Sequence, residues 1–249
     1  MFTPAVILQR PEASVCSNGF LTDPRVLSEA VKFLGKGMFF SAIVFDFDGV
    51  IVESTDIKSA AFYEIGLHWG EDAARKLADY HAENFGVSRY TKFEWFFENV
   101  LGKELNAEES ADLGRQFSSI CMERIMQVPL VSGFTDAVAV AYGRCPLFVA
   151  SAAPQEELET ILAARGLDVF FKEIFGSPPE KTANLQRAVD TLNVNPGNVL
   201  MVGDSQADYQ AAKSVGTDFY GRGEQFETSG YAWGEDLRNL VIYLTRKLA

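Results

Sequence analysis

Two aspartates directly follow an apolar run in the stretch SAIVFDFDGV, residues 41–50. The apolar half has the composition of a parallel strand that is buried on both faces. Asp46 and Asp48 therefore lie at the end of a predicted strand, and Gly49 permits a sharp turn of the backbone after them. Such a pair either forms a turn or caps a helix, or it supplies a nucleophile and an acid/base group for catalysis.

Polar side chains also occur downstream at the ends of predicted strands and the starts of predicted helices. Ser151 ends the apolar run LFVAS, Asp204 ends NVLMVGD, and Asp208 lies four residues further on. Lys181 opens a predicted helix after two prolines. Each has an ordinary alternative, as a helix cap or a surface residue. Because ligands of an open parallel sheet bind beyond the carboxyl ends of its strands, we expect these residues to converge at one edge.

The carboxylates in this set predict a bound cation. Asp46, Asp204 and Asp208 would repel one another at close range and raise one another's pKa unless a divalent ion neutralised them. Magnesium suits the set, because it takes oxygen ligands from one or two carboxylates together with water and substrate phosphate. Asp46 could then attack a phosphorus atom and form an aspartyl-phosphate. Asp48 could protonate the leaving group and later activate water.

A phosphoryl group in transfer also needs donors for its oxygens. The Ser151 hydroxyl and the backbone N–H groups of the turn that follows, which includes Ala152, are neutral donors at the end of a strand. Lys181 could reach the same site as a point charge and offset the acidic cluster. We therefore expect Ser151, Ala152 and Lys181 to bind the phosphoryl group.

Strands and helices alternate along the sequence that positions these residues. This alternation predicts an α/β fold, a Rossmann-like doubly wound parallel sheet. The predicted strands are 41–47, 147–151, 198–204 and the stretch TDFYG, and the predicted helices are Pro154 to Arg165, Lys181 to Leu192 and Gln206 to Val215.

Helix formers dominate the segment between the first strand and the rest of the sheet, where apolar residues recur at helical spacing. We predict that four helices there form an inserted all-α cap domain, residues 54–128. The Rossmann-like core then comprises residues 39–53 and 129–249. Residues 1–38 are predicted to be an N-terminal extension with one short helix, Pro24 to Leu34, and either pack loosely or precede an alternative start at Met38.

The amino-acid composition limits the kinds of partner that the chain is expected to bind. With 34 acidic against 22 basic residues and a net charge of -12, the chain is not expected to bind nucleic acid or an anionic membrane. Three scattered cysteines among 249 residues favour reduced thiols. No stretch predicts a membrane span, and the first ten residues lack the basic start of a secretory signal. We therefore expect a cytoplasmic protein. The sequence does not predict an oligomeric state.

The ordered motifs resemble those of the haloacid dehalogenase superfamily of aspartyl-phosphate phosphohydrolases. DFDGV is similar to the first motif of that family and VASAA to the second. Lys181 in PPEKT is similar to the third motif, and GDSQAD to the fourth. The resemblance covers residues 40 to about 221.

This resemblance implies a role for each motif residue. Asp46 is the implied nucleophile and a magnesium ligand, and Asp48 is the implied acid/base, whose backbone carbonyl also binds the metal. Asp48 favours phosphoryl chemistry over carbon–halogen cleavage, because the dehalogenases of the family lack this second aspartate. The remaining implied roles are phosphoryl binding for Ser151 and Lys181, and metal binding or its support for Asp204 and Asp208.

The predicted helical insert resembles the family's cap of the first type, which closes over the substrate and excludes water. Within it, FGVSRYTKF is similar to the arginine-bearing loop of β-phosphoglucomutase relatives. Arg89 is therefore predicted to hold a second acidic group, with Lys92 as a further candidate and a surface role as the alternative. Glu53 and Ser54 either touch the substrate or cap the first helix of the insert. His68 and His81 are interpreted as packing or surface residues.

The sequence therefore predicts a magnesium-dependent phosphatase. Its predicted substrate is a small phosphorylated metabolite, a sugar phosphate or a phosphoglycolate-like acid, which it hydrolyses through an aspartyl-phosphate. One alternative is a β-phosphoglucomutase-like phosphomutase that uses the same residues but protects the intermediate from water. A second alternative is a catalytically silent relative that binds a ligand or a protein.

Overall fold

The structure, a computed structural model, describes residues 40–246. Its strands are β1 (Ala42–Phe45), β2 (Leu147–Pro154), β3 (Glu173–Ser177), β4 (Val199–Gly203), β5 (Asp218–Arg222) and β6 (Ala232–Gly234). They form one sheet in the order β3-β2-β1-β4-β5-β6, in which every neighbouring pair is parallel. Its α-helices are α1 (Thr55–Gly66), α2 (Glu71–Glu83), α3 (Arg89–Phe96), α4 (Ala107–Ile125), α5 (Phe134–Ala141), α6 (Gln155–Ala164), α7 (Lys181–Leu192), α8 (Gln206–Val215) and α9 (Arg238–Arg246).

β1 lies in the middle of the sheet and is buried on both faces, because each of its four residues is fully covered. Side chains alternate along a strand, so Ile43 and Phe45 pack into one apolar layer and Ala42 and Val44 into the other. The first layer includes residues of α5, α6 and α9, and the second includes residues of α7 and α8. Helices thus cover both faces, and the predicted Rossmann-like doubly wound parallel sheet is confirmed.

Four helices, α1 to α4, separate β1 from the remainder of the sheet. They share an aromatic core in which the Phe62 ring lies 5.5 Å from that of Phe93 and 4.5 Å from that of Phe117. Phe93, Phe96 and Phe97 of the FEWFF stretch are buried. Full burial of one such side chain contributes about 1.5–3 kcal/mol to stability. The boundaries 54 and 128 of a separate cap domain stay a prediction.

Local signals explain which predicted boundaries agree with the structure. α7 and α8 begin and end where the sequence predicts, and the Ser205 side chain caps α8 through the Asp208 N–H. β1 ends at Phe45 rather than at residue 47, and β2 continues past Ser151 to Pro154.

Several elements were not predicted from the sequence. These are α5, β3, β6 and α9, of which the two strands are short and lie at the edges of the sheet. The predicted N-terminal extension, with its helix from 24 to 34, lies outside the described residues. None of the helices between residues 40 and 246 has the length and apolarity that a membrane crossing requires.

Candidate active site

The loop after β1 holds Asp46 and Asp48 at the carboxyl edge of the sheet. The Asp46 N–H donates to the Val202 carbonyl at 2.9 Å, which ties the end of β1 to β4. Asp46 is buried, and its Oδ1 accepts from the Phe47 N–H at 2.7 Å. Gly49 has φ of +69°, and a Cβ at this position would lie 1.9 Å from Asp204 Oδ2. The turn therefore requires glycine and brings the backbone directly against Asp204.

Lys181, the first residue of α7, bridges two of the carboxylates. Its Nζ lies 2.9 Å from Asp46 Oδ2 and 2.5 Å from Asp208 Oδ1, and all three side chains are buried. Burial would lower the pKa of Lys181, but the charges of Asp208 and Asp46 outweigh that effect and raise it. Lys181 is therefore a permanent positive charge inside the site.

Three carboxylates converge beside this lysine. Oxygens of Asp46, Asp204 and Asp208 lie within 4.8 Å of one another. Burial, and after it the charge of Asp208, raises the pKa of Asp46 to about 7. Burial and then the charge of Asp46 raise the pKa of Asp204 well above its usual value. Such a set of oxygen donors fits a hard divalent cation, which would relieve the repulsion that these shifts record.

The structure separates the roles of Asp204 and Asp208 more sharply than the sequence does. Asp208 Oδ2 accepts from the Ser205 N–H at 3.0 Å and from the Ser205 hydroxyl at 2.5 Å, so it completes a capping box at the start of α8. The alternative that Asp204 caps this helix is wrong, because Ser205 occupies the N-cap position. The Asp204 carboxylate is thus left to face the cluster.

Ser151 lies within β2 and is fully buried. Its Oγ accepts from the Ala153 N–H at 3.1 Å. The alternative that Ser151 caps α6 is wrong, because Pro154 occupies the N-cap position of that helix. The backbone of Ala152 follows directly, so a hydroxyl and a strand-end backbone lie beside the carboxylates, as an oxyanion site requires.

Asp48 interacts with two residues at the start of the helical segment. Ser54 Oγ donates to Asp48 Oδ1 at 2.6 Å, and Lys58 of α1 forms an ion pair with Oδ2. Burial alone would raise the pKa of Asp48, but the charge and hydrogen bond of Lys58 outweigh it, and this pKa is lowered. Lys58 was not predicted as a site residue. Its signal is the spacing Thr55, Lys58, Phe62, which places all three on one face of α1, and all three line the site cavity.

Arg89 connects the helical segment to the sheet-bearing part of the chain. Its Nη2 lies 2.8 Å from Glu157 Oε2 of α6, and its Nη1 donates to Ser118 Oγ at 2.7 Å. The guanidinium also lies 4.5 Å from the centre of the Phe117 ring. Arg89 therefore has a carboxylate partner within the protein, and its predicted contact with a second acidic group of a substrate stays a prediction.

These residues enclose one cavity of about 50 Å³ between the sheet edge and the helical segment. That volume holds a few water molecules. His81 and Lys92 of the helical segment also line it. The predicted site residues that line it are Asp46, Asp48, Arg89, Ser151, Ala152, Lys181 and Asp204, whereas Asp208 lies behind Lys181 and is fully buried.

Comparisons with known proteins agree with this architecture. The family model for haloacid dehalogenase-like hydrolases matches residues 40–216. A phosphoglycolate phosphatase of Colwellia psychrerythraea is 24% identical over 218 residues, which cover 78% of this chain and 87% of that protein.

Solved structures share the fold at low sequence identity. β-Phosphoglucomutase from Clostridium difficile superposes with a TM-score of 0.70 at 19% identity, covering 84% of this chain and 97% of that one. CbbY from Rhodobacter sphaeroides in complex with phosphate superposes with a TM-score of 0.64 at 20% identity, covering 81% and 96%.

By fold, the protein is an α/β enzyme, and a cluster of aspartate carboxylates lies at the edge of its sheet. The chain belongs to the haloacid dehalogenase-like hydrolases, since the family match spans most of its length. The resemblance that the four sequence motifs indicate is thereby confirmed.

Proposed function

We propose that this hydrolase is a magnesium-dependent phosphatase that cleaves a small phosphorylated metabolite through an aspartyl-phosphate at Asp46. The observation that carries the proposal is the position of Asp46, whose Oδ2 lies 2.9 Å from Lys181 in a cavity that Ser151 and Asp204 also line. A nucleophile, a fixed positive charge and hydroxyl and backbone donors are the groups that phosphoryl transfer requires. The phosphoglycolate phosphatase among the relatives supports this choice of substrate class.

In the first half-reaction, the Asp46 carboxylate attacks phosphorus while Lys181 and the Ser151–Ala152 segment hold the phosphoryl oxygens. The leaving oxygen takes a proton from Asp48, which must enter this step protonated and which Lys58 and Ser54 hold in position. In the second half-reaction, Asp48 removes a proton from the attacking water. Its lowered pKa suits this second role, because the residue must be ionised to act as a base.

Asp46, Asp204 and Asp208, with the Asp48 backbone carbonyl, are the proposed magnesium ligands. When bound, the ion supplies positive charge that keeps Asp46 ionised and offsets charge on the phosphoryl group. The Asp208 oxygens already accept from Lys181 and Ser205, so we assign this residue a supporting part.

The first test is phosphate release from a panel of phosphorylated metabolites, with magnesium and with EDTA. We expect Asp46→Asn to lower turnover by roughly a thousandfold or more, because the substitution removes the nucleophile and keeps its size. Asp79→Asn, at an exposed position of α2, is the matched control and should retain activity. Normal turnover in the Asp46 variant would rule out the mechanism.

The position of the helical segment favours a second candidate, a phosphomutase. Arg89 and Lys92 of that segment line the same cavity as Asp46, so the segment would shield an aspartyl-phosphate from water, and the fold is shared with a β-phosphoglucomutase. Turnover that needs a bisphosphate activator and yields an isomerised phosphate with little free phosphate would establish this alternative. A silent ligand-binding relative would show no turnover with any ester.

The helical segment is the proposed cap of this enzyme. Its helices bring Lys58, Arg89 and Lys92 to the cavity that Asp46 lines, so a movement of this segment would control access to the site. A small phosphate ester is the proposed partner.

A further inference from the structure

Arg222 is the last residue of β5 and extends past β4 to the loop after β1. Its Nη1 donates to the Gly49 carbonyl at 2.6 Å, and its Nη2 lies 2.8 Å from Glu53 Oε1. Its Nε donates to the Glu235 carbonyl at 3.3 Å, in the segment that follows β6. One guanidinium thus joins the loop after β1 to the two strands at the far edge of the sheet.

The contacts of Arg222 lie at the two ends of the turn that follows Asp48. Gly49 is the next residue after Asp48, and Glu53 lies two residues before the start of α1. The turn also has internal hydrogen bonds, such as that from the Gly49 N–H to the Val52 carbonyl at 2.9 Å. Internal bonds set the shape of the turn, whereas the bonds from Arg222 set its position relative to β5.

The position of the Gly49 backbone matters because this backbone packs against Asp204. A Cβ at Gly49 would lie 1.9 Å from Asp204 Oδ2. From the segment after β5, Gln225 Nε2 donates to the Asp204 carbonyl at 2.8 Å and to the Arg222 carbonyl at 3.2 Å. Arg222 and Gln225 therefore contact the backbone of both loops where these loops meet. A shift of the Gly49 loop would move its two aspartates relative to Asp204.

The ion pair between Arg222 and Glu53 is too exposed to be a large source of stability. The Arg222 side chain is 19% exposed and that of Glu53 is 37% exposed, and exposed pairs contribute little to the free energy of unfolding. What a guanidinium adds is geometry, because its planar fork fixes the direction as well as the distance of each acceptor. The contact is therefore better suited to holding a loop in place than to stabilising the fold.

We propose that Arg222 is a positioning residue, which holds the Gly49 carbonyl and thereby keeps the loop of Asp46 and Asp48 in register with the rest of the site. The inference rests on the proposed phosphatase function and adds a residue to it. In the part of the chain that the structure describes, the residues lining the site cavity do not include Arg222, so it acts through the loop and not on the substrate. Lys58 holds the Asp48 side chain, whereas Arg222 holds the backbone next to it.

Steady-state kinetics of Arg222→Met, on an ester that the wild type cleaves, test this role. We expect kcat to fall by about tenfold to a hundredfold while KM changes by about twofold or less, because alignment is lost and the phosphoryl-binding groups stay. Arg222→Lys keeps the charge without the fork and should recover part of the loss. Arg115→Met is the control and should keep the wild-type kcat, because Arg115 is exposed and pairs with Asp112 of its own helix, α4. A wild-type kcat in Arg222→Met would overturn the inference.

A second variant separates the two contacts of the guanidinium. Glu53→Gln removes the ion pair but leaves the bond from Arg222 to the Gly49 carbonyl, so its loss of kcat should be clearly smaller than that of Arg222→Met. A loss as large as that of Arg222→Met would assign the effect to the ion pair and contradict the role of the Gly49 contact.

Hydrogen exchange followed by mass spectrometry needs no substrate and separates this inference from the proposed function. Arg222→Met should raise amide exchange in residues 46–53 by about tenfold relative to wild type, whereas Arg115→Met should not. If Arg222→Met does not fold, Arg222→Lys provides the same comparison with a smaller expected effect. If the wild type cleaves no ester while the difference in exchange persists, the phosphatase proposal fails and the anchoring of the loop by Arg222 stands. Wild-type exchange in a folded Arg222→Met would overturn the inference whatever the activity.

Discussion

At the scale of single residues, neighbouring charges and burial set the pKa values of the two aspartates in the loop after β1. Lys58 and Ser54 lower the pKa of Asp48, whereas at Asp46 burial and the charge of Asp208 outweigh Lys181, so the two aspartates of the same loop have opposite pKa shifts. The pKa of Asp48 is lowered and that of Asp46 is raised to about 7. Two neighbouring carboxyl groups with divergent pKa values are suited to two different roles.

Lys58 is a positioning residue in this arrangement, and its removal is the first prediction. Lys58→Met should lower kcat by about tenfold to a hundredfold, because Asp48 loses the partner that orients it. Lys58→Arg keeps the charge and should recover part of the loss. Steady-state kinetics on an ester that the wild type cleaves will measure both. A wild-type kcat in Lys58→Met would show that the ion pair is only structural.

The second prediction concerns stability and the buried Lys92. Its pKa is lowered to about 7 by burial, against about 10.4 for an unfolded lysine. Between these values the unfolded chain binds more protons than the folded one, so the free energy of unfolding rises with pH. This contribution is fully present above the unfolded pKa and is lost as pH falls through about 7.

Lys92→Met lacks this contribution, so the comparison with wild type isolates it. The stability gain of the variant should be largest near pH 6.5 and should shrink as pH rises to 9.5. Urea unfolding at both pH values measures the change. Lys76→Met, which alters an exposed lysine, should show a difference from wild type that is flat with pH. Parallel curves for Lys92→Met would contradict the buried charge.

At the scale of elements, the helical segment meets the core through a few polar contacts around the cavity. The ion pair between Arg89 of α3 and Glu157 of α6 is one, and Ser118 of α4 donates to the same carboxylate at 2.5 Å. Another is the loop before α3, where a Cβ on Gly86 would lie 2.4 Å from Ser205 Oγ. These contacts hold the helical segment against the core, so we expect them to change if the segment moves.

The third prediction tests the Arg89–Glu157 contact. Glu157→Gln leaves a buried guanidinium without its counter-charge, which favours the open arrangement. We expect faster amide hydrogen exchange in α3 and a severalfold change in KM. Hydrogen exchange followed by mass spectrometry will measure the first effect. Glu156→Gln, one residue earlier at an exposed position of α6, is the control and should exchange like wild type. Unchanged exchange in Glu157→Gln would show that this pair does not hold the helical segment.

At the scale of the whole molecule, the parallel sheet gathers carboxylates from separate parts of an already acidic chain of net charge -12. Asp46 follows β1 and Asp204 follows β4, which are neighbours in the sheet. The same topology therefore creates both the carboxylate cluster and the electrostatic repulsion within it. A cation that binds the folded chain reverses this cost.

The fourth prediction follows from the repulsion among these carboxylates and its relief by a bound cation. Magnesium should raise the Tm of the wild type, with a stabilisation of about 2.7 kcal/mol at a hundred times its Kd. Asp204→Asn should lose most of this shift, because it removes a ligand of the cluster and part of the repulsion. Thermal unfolding with magnesium chloride, and with potassium chloride at equal ionic strength as the control, measures it. Equal magnesium shifts in the two proteins would exclude Asp204 as a ligand.

Much of the fold was predictable because its signals are local. Each of these signals lies within a short stretch of sequence. They are the fully apolar β1, the capping box of Ser205 and Asp208, and the helical spacing of apolar residues in α1 to α4. β3 and β6 escaped prediction, since short edge strands have little apolar pattern of their own and are defined by the neighbours they pair with.

The distinction between local signals and contacts between distant elements also applies to the site. The sequence by itself determined the family and the set of polar side chains at the sheet edge, because motif residues at strand ends must converge wherever parallel strands lie side by side. Only the tertiary structure decided which charges are paired. Arg89 and Glu157 are 68 residues apart, and the helix face that carries Lys58 meets Asp48 only after the segment folds over the sheet. Ion pairs depend on distances between elements, and packing sets those distances whereas local sequence does not.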